Sequence, residues 1–403
     1  MRSNDRCSIA PAMTEVQCRV ATDQPPASAA GWQSNLGRNV YCVLGIPVDA
    51  IDLATVVQRI EMAAANRTAF LISTPNLNFL VSSLSDQDFR ESLLASDLCP
   101  PDGAPVIWIA RLLGLPIKER AAGADLLERL QVRCSTSRRI AVFLFGGANG
   151  VAAAAAQKLN AQSGGLTCVG TLNPGFCEIT EMSGDDIISA LNSSGADFLI
   201  LALGAKKGQL WLARNHDRLT IPVRSHLGAA INFQAGTITR APQILRAWGL
   251  EWLWRIKEER YLWTRYRDDG LVFLRLLVTR ILPLAILTRW QKFRMRNKVD
   301  GLQINKRCDD NAIVINLSGA ATESYVPKAM ACFQDAVNDG RDILVDLSGA
   351  CLIDARFLGL LLMLRKELKS RGAELTFVAV PRAIERIFRL NELGYLLNIR
   401  PSR

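Results

Sequence analysis

The sequence predicts an α/β protein whose largest part is a doubly wound, mostly parallel, Rossmann-like sheet. Short apolar runs alternate with stretches of helical periodicity, and no tight hairpin joins successive runs. This alternation is typical of parallel strands connected by helices. Most runs end in glycine, proline or small polar residues, where a strand passes into a loop before the next helix. The 403 residues are enough for two or three domains.

The predicted elements of the main sheet begin near residue 40. An amphipathic helix is expected over 51–65, and further helical periodicity follows residue 76. Residues 1–38 are polar, contain a Pro-Pro pair and have no apolar signal core, so we predict a disordered lead there. The predicted strands are 41–44, 70–72, 97–99, 139–145, 167–170, 197–203 and 222–227.

Small polar side chains and one carboxylate follow two of these strands. Thr74 and Asn76 come directly after the strand that ends at Ile72, and Asp102 lies between a Pro pair and a glycine after the next short strand. Strand ends form the ligand crevice of an open α/β sheet. Thr74, Asn76 and Asp102 are therefore candidate catalytic residues. An Asp before Gly also organises its own turn, and on spacing alone both interpretations of Asp102 stay open.

Two glycine-rich turns follow later strands and precede helices. Gly146 and Gly147 form the first turn, and Gly204 begins the second. Glycine at such a turn lets the backbone approach a phosphate or sugar at a helix N-terminus. Lys207 is a candidate diphosphate contact or an ordinary exposed lysine. Neither turn is a G-x-G-x-x-G, so a dehydrogenase is poorly supported.

Metal and cofactor motifs are weak. The ten cysteines form no Cys-x-x-Cys pair and there are two histidines, so a zinc site is poorly supported. The segment 86–88 reads Asp-Gln-Asp, a pattern that can hold a divalent cation against a sugar nucleotide. We interpret it as a solvated helix face, because residues two apart on a helix point to different faces. The sequence predicts neither a metal nor a cofactor.

Positive charge concentrates in one aromatic-rich region. The formal net charge is +10, and residues 240–300 contain fourteen Lys or Arg against six Asp or Glu. Such a region suits an anionic membrane surface or a nucleic acid. The apolar stretch 271–290 contains Arg275 and Arg280, which would be costly inside a membrane-spanning helix. We expect a basic amphipathic appendage over 241–298 that lies on the membrane, and we consider nucleic-acid binding the weaker interpretation.

Several ordered motifs resemble those of the WecG/TagA/CpsF glycosyltransferases, over roughly residues 40–275. The matching blocks are Thr74-Pro75-Asn76, Ala95–Leu98, Pro101-Asp102-Gly103, Leu113-Gly114, Glu119-Arg120, Gly123, Asp125, Phe145-Gly146-Gly147, Leu203-Gly204-Ala205, Arg240-Ala241-Pro242 and Gly249–Arg255. The resemblance implies transfer of a sugar from a UDP-sugar to a lipid-linked saccharide on the cytoplasmic membrane face, without a metal.

The resemblance also implies roles for single residues. Asp102 would be the base that accepts the proton of the acceptor hydroxyl, in a single displacement with inversion. Thr74 and Asn76 would position the substrates, and Lys207 and the glycine turns at Gly146, Gly147 and Gly204 would stabilise the leaving UDP. The candidate contacts of the acceptor diphosphate are Arg240, Arg246, Arg255, Arg260 and Arg265.

The sequence departs from the family pattern on the side expected to recognise the nucleotide. The usual L-G-x-P-K-Q-E-x-W has lost its Pro and its Gln-Glu pair in the segment 203–211. His226 and Asn232 replace a usual Gly and a usual Asp. We expect an altered donor preference or weaker donor binding. His226 is a candidate donor ligand or an ordinary rim histidine.

A separate α/β unit is predicted over 299–403. Its segment 346–361, with Asp354 followed by Ala355, resembles the STAS domain of anti-sigma-factor antagonists. A phosphorylatable Ser or Thr commonly follows that Asp in the family, and Ala355 has no hydroxyl. The resemblance implies a docking or regulatory module with a possible protein partner.

These observations predict three ordered regions after the lead: a glycosyltransferase domain over 39–240, the appendage over 241–298 and the STAS-like domain over 299–403. The predicted enzyme is cytoplasmic and peripheral on the inner face of the cell membrane. The alternative is a non-catalytic membrane-surface scaffold that acts through the STAS-like domain.

Overall fold

A computed structural model describes residues 34–132, 138–162, 164–295, 301–309 and 312–397. Its first part alternates strands and helices. The elements are, in chain order, β1 (Val40–Val43), β2 (Ile46–Asp49), α1 (Leu53–Asn66), β3 (Phe70–Ile72), α2 (Leu77–Ser85), α3 (Gln87–Leu94), α4 (Ala104–Leu113), α5 (Gly123–Val132), β4 (Ile140–Gly146), α6 (Val151–Ala161), β5 (Leu166–Leu172), α7 (Asp185–Ser193), β6 (Phe198–Ala202), α8 (Ala205–Asn215), β7 (Val223–His226) and α9 (Gly228–Ala235).

Five of these strands form one parallel sheet in the order β3-β7-β6-β4-β5. One face packs against α1, α5, α6 and α9, and the other against α7 and α8. Helices on both faces make the sheet doubly wound, which confirms the predicted fold class. The chain moves from β4 out to β5 and then returns to the other side of β4 with β6. The topological switch point, where ligands bind in such sheets, therefore lies between β4 and β6.

Two details differ from the prediction. β1 and β2 form a tight antiparallel hairpin outside the main sheet, with Leu44 and Gly45 at positive φ in its turn. The hairpin is buried on both sides, so it lacks the polar alternation that marks an exposed hairpin. The predicted strand 97–99 contributes a single parallel bridge, between Leu98 and Ile72.

A helical region follows the sheet. It contains α10 (Gln243–Ala247), α11 (Glu251–Glu258), α12 (Leu262–Leu276) and α13 (Leu282–Met295), and a π-helical turn joins the last two. Within the described residues, the stretch Leu262–Gln291 is long and apolar enough to cross a membrane by length and composition, and its most apolar 18-residue window has a mean hydropathy of 2.0. Leu276, Ile281 and Leu284 are nevertheless buried against the same core as α4. The large exposed apolar residues of this stretch are Trp263, Leu271, Leu274, Val278, Leu282, Ile286 and Trp290.

The C-terminal unit is a four-stranded mixed sheet with helices. It contains β8 (Gln303–Cys308), β9 (Ala312–Ala321), α14 (Val326–Asn338), β10 (Asp342–Ile353), α15 (Ala355–Ser370), β11 (Leu375–Val378) and α16 (Arg382–Leu390), with the strand order β11-β10-β9-β8. β8 is antiparallel to β9, and the other pairs are parallel. Its core is built mainly from α14, α15, β9 and β10.

The hairpin β1–β2 joins the two units. Val40 and Cys42 belong to the core of the C-terminal unit, whereas Tyr41 and Val43 belong to the core that contains α4. Successive strand residues point to opposite faces, so one strand serves both cores. The backbone of β1 touches α15 directly, because a Cβ on Gly359 would lie 2.0 Å from the carbonyl oxygen of Val40.

The predicted disordered lead, residues 1–38, includes residues at its end that belong to the folded structure. Residues 35–37 form a short 3₁₀ turn with Leu36 fully buried, and the side chain of Arg38 is buried beside Asp49. One apolar residue, Leu36, and one arginine, Arg38, directly after a polar segment form no periodic pattern. The sequence therefore did not indicate that they belong to the core. The rest of the predicted lead, residues 1–33, lies outside the described residues.

Candidate active site

The loops after β3 and before α4 lie side by side. The backbone N–H of Asp102 donates to the carbonyl oxygen of Pro75 at 2.8 Å. Asn76 caps α2 through its side chain, which accepts from the N–H of Phe79 at 3.2 Å. Gly103 begins α4 with φ +84°, a conformation that favours glycine. The fold thus brings the three predicted catalytic residues, Thr74, Asn76 and Asp102, to one place.

The carboxyl group of Asp102 is the most perturbed acid of this site. Burial raises the pKa of Asp102 from 3.8 to about 7, and the charges of Glu251 and Asp125 add to the rise. The guanidinium of Arg120 and side-chain hydrogen bonding from Asn76 act in the opposite direction. A carboxyl group with a pKa near neutrality is well matched to accepting and releasing a proton at physiological pH.

A network of charges surrounds that carboxyl group. Arg120 donates to Glu251 at 2.9 Å, and its other terminal nitrogen lies 3.9 Å from Asp125. Arg240 is paired with both Asp125 and Glu128. The predicted substrate-binding residue Arg240 therefore lies beside the site, held by two carboxylates. Arg120, Asp125 and Glu251 all lie in sequence motifs that this chain shares with the family it resembles. That resemblance was the one feature of the sequence that could have indicated a role for them.

The other predicted arginines are spread along the helical region. Arg255 donates to Glu259 at 3.2 Å through its Nε, within α11 and its C-terminal turn. Arg246 lies 3.8 Å from Asp125. Arg260 is exposed in the turn between α11 and α12. Arg240 and Arg246 thus lie in the ion-pair network of Asp125, whereas Arg265 lies 5.2 Å from the ring centre of Tyr266, whose phenol also feels the charge of Arg255.

Helix α12 contributes a residue that the sequence analysis missed. Burial raises the pKa of Tyr266, and the nearby charge of Asp102 adds to the rise. The helix is held against α2 by Asn78, whose side-chain amide donates to Asp269 at 3.2 Å. Tyr266 thus lies near enough to Asp102 for the charge of that carboxylate to act on its hydroxyl group. Its position in a basic aromatic region gave no indication of this, because many aromatic residues share that region.

The two glycine turns meet at the switch point. Gly146 and Gly147 have φ values of +91° and +90°, and the N–H of Gly147 donates to the carbonyl oxygen of Ala202 at 2.8 Å. A Cβ on Gly146 would lie 2.6 Å from Leu203, so only glycine fits there. Gly204 begins α8 with φ +81°. The turns form one glycine-lined crevice between the ends of β4 and β6.

The lysines after Gly204 have protein partners. Lys207 donates to the carbonyl oxygen of Cys177, and Lys206 is paired with Asp86 at 2.6 Å. Asp86 lies at the break between α2 and α3 and caps α3 by accepting from the N–H of Phe89 at 2.9 Å. The Asp-Gln-Asp segment is therefore a helix start, whereas the sequence analysis placed it within one helix.

His226 ends β7, the strand between β6 and β3. Its ring lies against α8, where a Cβ on Gly208 would be 2.3 Å from a ring carbon, and close to Gly228 at the start of α9. Burial lowers the pKa of His226 to about 4, so the ring is neutral at physiological pH. Its buried Nε2 has no hydrogen-bond partner among the described residues.

The site spans several strands of the sheet. β3, β7, β6 and β4 are successive neighbours, so the Asp102 loop and the glycine crevice lie about three strand spacings, or roughly 14 Å, apart. His226 lies between them. Within the part of the chain that the structure describes, no group of three or more His, Cys, Asp or Glu residues is placed to hold a metal ion.

The sequence of the chain matches that of a known protein family. The sequence model of the glycosyl transferase WecG/TagA/CpsF family matches residues 41–286, more than half of the chain. The chain belongs to this family of glycosyltransferases. The match covers the Asp102 loop, the glycine crevice, His226 and the helices up to α13.

Two relatives share the name N-acetylglucosaminyldiphosphoundecaprenol N-acetyl-beta-D-mannosaminyltransferase. The protein of Bacillus spizizenii is 24% identical over 201 residues, which are 50% of this chain and 75% of that protein. The protein of Staphylococcus aureus is 21% identical over 215 residues, which are 53% of this chain and 82% of that protein.

The C-terminal unit matches a second family model, that of the Mlab, STAS domain, over residues 304–398. A solved structure of the anti-sigma factor antagonist SpoIIAA in its unphosphorylated form is 19% identical and covers 24% of this chain and 85% of that chain, with a TM-score of 0.22. The family model, rather than this structural match, identifies the unit as a STAS domain. Asp354 caps α15 by accepting from the N–H of Phe357 at 2.8 Å.

Proposed function

We propose that this glycosyltransferase moves a hexose or N-acetylhexosamine-type sugar from a UDP-sugar to a polyprenyl-diphosphate-linked saccharide, with inversion, in the synthesis of an exopolysaccharide or another cell-surface polysaccharide. The observation that carries the proposal is Asp102, a carboxyl group with a pKa of about 7 beside the ligand crevice of the sheet. The relatives are named for transfer to an undecaprenol-linked N-acetylglucosamine, which supports a lipid-linked acceptor.

The donor is proposed to bind along the strand ends. The glycine crevice at Gly146 and Gly204 suits a diphosphate, because peptide N–H groups at the start of a helix attract anions. A sugar nucleotide is long enough to extend from this crevice across β7 toward Asp102. On its way it passes His226, whose unpartnered nitrogen is available for a hydrogen bond with the donor.

The proposed reaction is a single displacement. A hydroxyl oxygen of the acceptor attacks the anomeric carbon as its proton passes to the carboxylate of Asp102, and the bond from that carbon to the UDP oxygen breaks. The negative charge that develops on UDP is stabilised by the N–H groups at the start of α8, beside the glycine crevice. Arg240 and Arg246 provide positive charge for the diphosphate of the acceptor. To do so, each exchanges the carboxylate that now pairs with it for an oxygen of the diphosphate.

The enzyme is proposed to work as a peripheral protein on the inner face of the membrane. The exposed apolar side of α12 and α13 would enter the headgroup region, while the opposite side stays packed on the protein. Arg280, which lies within this stretch, is paired with Glu392 of the STAS domain. This pairing and the buried Leu276 support a helix that lies on the bilayer and not one that crosses it.

The first experiment is to measure UDP release from a panel of UDP-sugars with a polyprenyl-diphosphate-linked N-acetylglucosamine acceptor, in the presence of EDTA. Release that depends on the acceptor and is abolished by Asp102→Asn would support the proposal. Asp88→Asn is the matched control, because Asp88 is exposed on α3 and is not among the charges that act on Asp102. Full activity of a folded Asp102→Asn protein would exclude Asp102 as the base.

A non-catalytic scaffold is the second candidate. It is favoured by the changed segment 206–209, in which Lys206 and Lys207 bind protein groups. A scaffold should not bind UDP-sugars, and titration calorimetry with the same panel would distinguish the two proposals.

A further inference from the structure

A lysine of the STAS domain reaches into the glycosyltransferase unit. Lys366, in the middle of α15, donates from its Nζ to the carboxylate of Asp97 at 2.9 Å and to the carbonyl oxygen of Ser96 at 3.0 Å. Only 12% of its side chain is exposed. A long cationic side chain is rarely buried this deeply unless its charge is paired, and here both contacts lie on one short segment of the other domain.

That segment is tied to the end of β3. The N–H of Leu71 donates to the carboxylate of Asp97 at 2.9 Å, and the hydroxyl groups of Ser73 and Ser96 lie 2.6 Å apart. The N–H of Ser73 donates to the carbonyl oxygen of Leu98 at 3.0 Å. The position of residues 96–98 is thereby coupled to the strand that leads to Thr74 and Asn76.

The same segment also leads to Asp102 through a stiff connection. After Cys99 come Pro100 and Pro101, whose rings fix their φ angles, and then Asp102. The carbonyl oxygen of Pro101 accepts from the N–H of Ala121 at 2.7 Å. With so few free dihedral angles in between, a shift of residues 96–99 moves the backbone of Asp102.

A second set of contacts from α15 reinforces the first. Arg356 donates to the carbonyl oxygens of Arg38 and Val40 at 3.1 and 3.3 Å. Arg38 donates to the carbonyl oxygen of Ser96 at 2.8 Å and pairs with Asp49, whose carboxylate accepts from the N–H of Cys99 at 2.6 Å. The STAS domain thus holds both ends of the segment 96–99, directly and through the hairpin.

We propose that the STAS domain acts in cis, on the glycosyltransferase domain of its own chain, and that Lys366 is a positioning residue which fixes the segment carrying Asp102. The proposal rests on the proposed transferase function. The face of the STAS domain that contains α15 therefore binds the glycosyltransferase domain of the same chain. Ala355, at the start of this helix, lacks the hydroxyl group of a phosphorylation switch, which fits a fixed contact.

The test compares Lys366→Met, Lys366→Arg and the control Lys369→Met in the full-length protein. Lys369 lies one turn further along α15, is mostly exposed and pairs with Glu91. We expect Lys366→Met to lower kcat by about 10- to 100-fold, the range of a small misplacement of a catalytic group, with little change in KM for the donor. Lys366→Arg should recover most of kcat, and the control should match the wild-type protein.

Hydrogen–deuterium exchange gives a readout that does not depend on turnover. Peptides covering 96–103 should exchange faster in Lys366→Met, whereas the exchange of the distant strand β5 should be unchanged.

If Lys366→Met does not fold, Lys366→Gln replaces it under the same criteria, because glutamine keeps a hydrogen-bond donor without the charge. A wild-type kcat in the folded variant, or a loss that Lys366→Arg does not relieve, would overturn the inference alone. A wild-type protein that transfers no sugar would instead refute the proposed function, and the inference with it.

Discussion

The backbone N–H of Asp102 donates to the carbonyl oxygen of Pro75 at 2.8 Å, which makes the loops after β3 and before α4 one structural unit. Because of this bond, the predicted base Asp102 and the predicted positioning residues Thr74 and Asn76 move together. The site is therefore sensitive both to its own electrostatics and to whatever fixes the two loops.

The activity should depend on the ionisation of Asp102. With a pKa of about 7, the carboxyl group is mostly protonated at pH 6, and a protonated base cannot accept the acceptor proton. We expect kcat/KM to rise through pH 7 and to level off near pH 8. The pH–rate profiles of the wild-type protein and of Asp88→Asn should coincide, and any residual turnover of Asp102→Asn should lack the rise. A profile that is flat from pH 5.5 to 8 would contradict this assignment.

The same residue should reduce stability at neutral and alkaline pH. The pKa of Asp102 is raised on folding, so its contribution to stability is fully present below pH 3.8 and is lost as the pH rises through 7. Asp102→Asn, which cannot ionise, should therefore raise Tm at pH 8 more than at pH 5. Thermal unfolding at the two pH values checks this, and an equal shift at both would show that ionisation is not the cause.

His226 should destabilise the fold in acid. The pKa of His226 is lowered on folding from 6.5 to about 4, so the unfolded chain takes up the proton first as the pH falls between these values. The expected loss is at most about 3 kcal/mol. Denaturant unfolding of His226→Asn should show a smaller loss between pH 6.5 and 4.5 than the wild-type protein. Superimposable pH dependences of the two proteins would be inconsistent with a buried neutral histidine.

The contact between α15 and β1 should tolerate no added side chain. A Cβ on Gly359 would lie 2.0 Å from the carbonyl oxygen of Val40, a backbone atom that cannot rotate away. Gly359→Ala should lower the free energy of unfolding by about 1–3 kcal/mol or more. Gly270→Ala in α12 is the control, because a Cβ there meets nothing within 4 Å and alanine favours a helix. Both variants can be compared by denaturant unfolding.

The exposed side of α12 and α13 should mediate membrane binding. Leu274 and Val278 are more than half exposed and lie one helical turn apart. The double substitution Leu274→Glu and Val278→Glu should strongly reduce co-sedimentation with phosphatidylglycerol vesicles, because two carboxylates cannot enter the headgroup boundary next to anionic lipid. Phe176→Glu is the control, since Phe176 is fully exposed in a loop after β5. Equal sedimentation of the double variant and the control would refute the membrane assignment.

Much of the fold was readable from local patterns. The parallel sheet followed from apolar runs that stop at glycine, proline or polar residues, and the loops of Thr74 and Asp102 were visible as polar strand ends. The hairpin β1–β2 was misread because it is buried on both faces, which removes the alternation that identifies a two-stranded ribbon. Residues 34–38 were assigned to the lead because a short turn with one buried leucine has no periodicity.

The sequence by itself determined the order of strands and helices, the glycine turns, the acid at a strand end and the separate C-terminal unit, because each depends on neighbours in the chain. Only the tertiary structure decided that Arg120, Glu251 and Tyr266 surround Asp102 and that Lys366 binds the segment before it. Such pairs are far apart in sequence. Their contact depends on how the domains pack, and so does the desolvation that moves a carboxyl pKa from 3.8 to about 7.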